Sequence, residues 1–131
     1  MGRLRIGAAL SLCSALAGCS EPTIEGQRAV SPDHRYVATT EYDAPVLDHK
    51  DTYVFLGSGL SREVVYRSHL HDCLVLRWTG SRMLTIDHLG GLPLVMKTQW
   101  KPLWGGDAVT IAYHNIIISG IEIPAQCKVA Q

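Results

Sequence analysis

The chain has 131 residues, with 12 Lys or Arg against 12 Asp or Glu and 47% apolar residues. That length fits one domain, and the apolar share can build a core. The balanced charge is not that of a chain that grips nucleic-acid phosphates, and four cysteines (Cys13, Cys19, Cys73 and Cys127) are too few for a disulfide-dense mini-protein.

Arg3 and Arg5 precede an apolar run from Ile6 to Ala17. A membrane-spanning helix needs about 20 residues, so the run is too short to cross. A basic start, a short apolar stretch and small residues after it are the pattern of a secretory signal peptide. The run closes in Leu16-Ala17-Gly18-Cys19. These four residues resemble the lipobox of bacterial lipoprotein precursors. The resemblance implies transfer of a diacylglyceryl group to the Cys19 thiol and cleavage before it, leaving residues 1–18 as the signal peptide. Cys13 follows Leu12, which is too large for the small-residue position. An ordinary N-terminal helix that happens to hold a cysteine is the alternative. A single acyl chain binds a membrane only marginally, whereas two or more hold, so the implied partner is the membrane itself. Ser20 follows the cysteine where an Asp tends to mark inner-membrane retention in Gram-negative lipoproteins. The implied location is therefore the periplasmic face of the envelope, with the outer membrane favoured if the cell is Gram-negative.

Residues 19–31 are polar, with Pro22 and Gly26 and no apolar period, and are expected as a tether. Residues 32–131 are expected as a single β domain. Strand-like runs rich in β-branched and aromatic residues recur there between turn residues. They are Arg35 to Tyr42, Thr52 to Leu56, Glu63 to Arg67, Cys73 to Trp78, Met83 to Asp87, Leu94 to Trp100, Ala108 to His114 and Ile116 to Ile123. No long window carries a 3.6-residue apolar stripe. The expected fold is all-β, a small antiparallel meander of about 7–8 strands closed as a sandwich or barrel.

The segment Ser31-Pro32-Asp33-His34-Arg35-Tyr36-Val37-Ala38 resembles the S-P-D-G turn-and-strand signature of β-propeller blades, which small bacterial lipoproteins also carry. This chain departs from it at His34, where Gly is usual. His still visits the left-handed region. Trp78 to Ile86 and Trp104 to Ile111 resemble the later Trp-led segment of those lipoproteins. The resemblance implies strand–turn–strand geometry and no activity, and the chain is too short for four propeller blades.

In an exported protein Cys73 and Cys127 are expected to pair. Closing that loop would remove unfolded-state entropy of roughly 4 kcal/mol. His69, His71 and Cys73 would share one face if they lay on a strand. Two imidazoles and a thiolate suit zinc or copper, with Asp87, His88 or His114 as a further ligand. The preferred reading is a polar loop with Cys73 in a disulfide and no metal. No G-x-S-x-G elbow, H-E-x-x-H or phosphate-binding loop occurs, and Gly57-Ser58-Gly59 reads as a strand-end turn. Neither catalysis nor a cofactor is expected. Trp100 and Trp104 flank a Pro- and Gly-containing loop that could form a ligand platform. A plug for one end of the fold is preferred, because Trp is usually at least partly inside.

The expectation is thus a non-enzymatic, membrane-anchored envelope lipoprotein, structural or binding an envelope protein. A metal-binding lipoprotein and a small inhibitor of a secreted enzyme are the alternatives.

Overall fold

A computed structural model describes residues 23–43, 51–58, 61–69, 72–90, 92–103 and 105–116. These residues form nine strands: β1 Thr23–Val30, β2 Val37–Asp43, β3 Thr52–Ser58, β4 Ser61–His69, β5 Leu74–Gly80, β6 Met83–His88, β7 Leu92–Met96, β8 Gln99–Trp100 and β9 Val109–Asn115. The protein is all-β. One sheet has five strands in the order β1-β2-β3-β4-β7, and the other has four in the order β5-β6-β9-β8. Among the described residues the sheets do not close into a barrel. They share one core, as in a sandwich.

Alternation along the strands builds that core. Ala38, Val54, Leu56 and Val65 are buried from the first sheet, and Leu74, Leu76, Leu84, Ile86, Val109 and Ile111 from the second. A bulge sets Val54 opposite Tyr66 and Phe55 opposite Val64. Val65 is the extra residue, so consecutive Val65 and Tyr66 are both buried. Tyr36 and Trp100 close one end edge to face, with ring centroids 5.4 Å apart and planes at 82°.

Three expectations need correction. The segment expected as a tether through residue 31 contains β1, which pairs along β2 from Thr23 to Val30. It shows no apolar period because it is an edge strand whose side chains are mostly exposed. Its ladder breaks between Glu25 and Arg28, and the bulge frees Gln27 to face the other sheet. Gln27 accepts from the Leu76 N–H at 3.0 Å and donates to the Leu76 carbonyl at 3.2 Å, as a neighbouring strand would. Gly26 makes the bulge possible, because a Cβ there would lie 2.5 Å from Thr40 Oγ1.

Second, the expected strand Leu94 to Trp100 is two strands in different sheets. The Lys97 N–H donates to Val65 of the five-stranded sheet at 2.9 Å, and the Thr98 carbonyl accepts from Ile111 of the four-stranded sheet at 2.8 Å. The chain changes sheets between those residues. Third, the meander is not antiparallel throughout, since β6 and β9 pair in parallel. A parallel pair needs a crossover, and the excursion through β7 and β8 supplies it. Of the last expected strand only Ile116 lies among the described residues.

Candidate functional site

The outer face of the five-stranded sheet carries the densest polar array. Tyr53 and Phe55 of β3 point outward and stack at 6.1 Å. The Arg67 and Arg62 guanidinium groups lie 5.5 Å and 4.0 Å from their respective ring centres. Arg62 also pairs with Glu41 at 2.7 Å. Arg67 places Nε and Nη2 on one oxygen of Asp51, Oδ2, at 2.8 and 2.6 Å. His69 Nδ1 lies 2.9 Å from the other oxygen, Oδ1.

The Asp51 side chain is 2% exposed, and the His69 ring is 45% exposed. Burial alone would raise the Asp51 pKa. Arg67 and then His69 outweigh burial through hydrogen bonds and charge, and the carboxyl titrates below its ordinary value. An imidazole fixed at Nδ1 by a carboxylate presents Nε2 outward, the arrangement that orients histidine for proton exchange or ligation. No hydroxyl or thiol nucleophile is hydrogen-bonded to that imidazole among the described residues.

His69 ends β4, so the face expected for residues 69, 71 and 73 does not form as a continuous strand. His71 lies outside the described residues. Cys73 is not without a partner. Cys127, Cys19 and Trp104 also lie outside the described residues. Asp87 and His114 belong to the outer face of the other sheet. There Arg77 donates from Nε to Asp87 Oδ2 at 2.7 Å and from Nη2 to Oδ1 at 3.1 Å, with His114 Nδ1 3.5 Å from Oδ1. His88 packs against the Tyr66 ring at 6.2 Å. Among the described residues, no three His, Cys, Asp or Glu side chains converge as a metal set.

Asp72 was not singled out by sequence reasoning, yet it organises the strand ends beside His69. Its carboxylate accepts from Tyr66 Oη at 2.6 Å and from the N–H groups of Leu89 and Gly90 at 3.3 and 3.1 Å. Its own N–H donates to Thr52 Oγ1 at 3.0 Å. Burial raises its pKa against those donors, and burial with the Asp72 charge raises that of Tyr66. This cluster staples the β4–β5 and β6–β7 connections together.

The opposite end holds the Ser-Pro-Asp-His turn. Ser31 Oγ donates to Asp33 Oδ1 at 2.8 Å and accepts from the Tyr36 N–H at 3.0 Å. Arg82 donates to Asp33 Oδ2 at 2.8 Å. The Ser31 hydroxyl, then Arg82, hold the Asp33 carboxyl down to about 2. His34 takes φ 60°, the left-handed conformation expected of it. Gly57 and Ser58 end β3, where Ser58 is opposite Ser61 of β4, and Gly59 lies outside the described residues. Trp100 is buried and serves the plug.

A groove of about 230 Å³ crosses β1 to β4, lined by Glu25, Arg28, Thr39, Phe55, Ser61 and Arg62 among others. Sites for drug-sized ligands run from roughly 300 to 1,000 Å³, so this groove is small for one. Comparisons with family models, with curated proteins and with solved structures return no match.

Proposed function

We propose that the chain is a lipid-anchored protein of the bacterial cell envelope, held by a diacylglyceryl group on Cys19, whose β domain has a structural or binding role and no catalytic one. The observation that carries the reading is Leu16-Ala17-Gly18-Cys19 at the end of a basic-then-apolar leader. Only residues 20–22 separate that cysteine from β1. The domain would therefore sit against its membrane on the periplasmic side, the outer membrane in a Gram-negative cell, where an envelope protein is the expected partner. Outward-facing arginines neutralised by carboxylates favour a binding or structural surface. The second part of the proposal is a Cys73–Cys127 bridge, supported by the state of Cys73 and by the oxidising compartment that export implies.

Growth with a labelled fatty acid tests the anchor. The native chain takes up label, and Cys19→Ala takes up none and accumulates as precursor. Equal labelling of both overturns the reading. Non-reducing peptide mapping tests the bridge. It should yield Cys73 and Cys127 in one linked peptide, and separate alkylated peptides would refute it.

A further inference from the structure

The apolar surface of β7 lies at the anchored end of the five-stranded sheet. Thr23 pairs with Asp43, Tyr42 with Thr52, Thr52 with Ser68, and His69 with Leu92. The start of β1 and the start of β7 are therefore at one end of the sheet, on opposite edges. Four strand spacings of about 4.8 Å separate those edges by roughly 19 Å. Four residues from Cys19 to Thr23 reach at most about 14 Å, so a bilayer holding the Cys19 lipid is close to that whole end.

Large apolar side chains are exposed there. Leu92 and Leu94 are 60% and 59% exposed, and Ile24, at the start of β1, is 50% exposed. A second copy of the chain pairing along β7 is disfavoured, because Pro93 lacks the N–H that a free strand edge offers. What β7 presents is side chains.

We infer that Leu92 and Leu94 of β7 form a second membrane contact, entering the headgroup–acyl boundary of the phospholipid surface in which the Cys19 lipid is anchored. The inference rests on the lipid-anchor reading. That boundary accepts the apolar faces of peripheral proteins, as interfacial amphipathic helices show by burying theirs about 5–10 Å deep. With β1 tethered at one edge and β7 resting on lipid at the other, the sheet stands on its end. The Ser31–Val37 turn and the Trp100–Val109 connection then face away from the membrane.

The test uses the full lipidated protein in vesicles of phosphatidylethanolamine and phosphatidylglycerol, with and without brominated acyl chains, which quench tryptophan on contact. Leu94→Trp and Leu92→Trp each add a reporter at the proposed contact. Leu103→Trp adds one to the opposite end, where Leu103 is 82% exposed. The emission added at residues 92 and 94 should be lost in brominated vesicles, and that added at residue 103 should survive. If all three reporters keep their emission while mass spectrometry finds lipid on Cys19, the β7 contact is overturned and the anchor stands. If no lipid is found on Cys19, both readings fall.

Discussion

The two sheets carry the same trio on their outer faces and wire it differently. Each has a nearly buried carboxylate, with Asp51 2% and Asp87 7% exposed. Each has a half-exposed arginine, Arg67 or Arg77, and a half-exposed histidine, His69 or His114. Arg67 spends both nitrogens on one oxygen of Asp51, which leaves the other for His69 at 2.9 Å. Arg77 forks across both oxygens of Asp87, and His114 stands off at 3.5 Å, outside normal hydrogen-bond length. The arginine's choice of oxygens decides whether the imidazole is bound or merely near. The Asp51 trio is a three-part network, and the Asp87 trio is an ion pair with a neighbour.

The largest expected contrast is at the carboxylates. Asp51→Ala leaves Arg67 and His69 without their acceptor and should lower stability by about 2–3 kcal/mol in a denaturant titration. Asp87→Ala should cost about 1–2 kcal/mol, since hydrogen bonds to charged groups contribute about 1.5–3 kcal/mol before half-exposure screens them. Equal losses would erase the distinction.

Acid tests the Asp51 site next. A carboxylate whose folded pKa is depressed adds stability that is complete above its unfolded value, about 3.9, and disappears as pH falls through the folded value. Asp51 is such a group. Stability should therefore fall with acid below about pH 4, Asp33 contributing beside Asp51, and Asp51→Asn should make that limb shallower.

The histidines give the smallest effect. His69→Gln should cost roughly 0.5–1 kcal/mol at neutral pH, for one hydrogen bond lost or weakened at a half-exposed site. His114→Gln should lie within about 0.5 kcal/mol of the native chain, as surface changes do. A larger loss at His114 would mean that its imidazole is bound in solution.

The strands of the core were legible because stretches such as Leu74-x-Leu76 and Val109-x-Ile111 alternate on surfaces buried on one side. β1 was not, since an edge strand with exposed side chains is stabilised by its ladder and by Gln27 reaching across to Leu76, neither of which leaves an apolar period. The parallel β6–β9 pair was hidden for another reason. It depends on the chain changing sheets at Lys97 and Thr98, where neither composition nor turn residues mark a break. At the site, His69 stood out beside His71 and Cys73, but nothing in the sequence joined it to Asp51. Asp51 is brought to His69 because Thr52 pairs with Ser68. The Asp72–Tyr66 bond is of the same kind, fixed by the Val65 bulge that turns Tyr66 inward.

The central claim is that this sandwich is carried on a lipid at its first mature residue. Intact-mass and N-terminal peptide mass spectrometry of the protein from its own membranes tests it most directly. The account predicts a chain beginning at Cys19 with the mass of a diacylglyceryl group on that residue. A chain that retains residues 1–18, or that begins at residue 19 with an unmodified thiol, would contradict it.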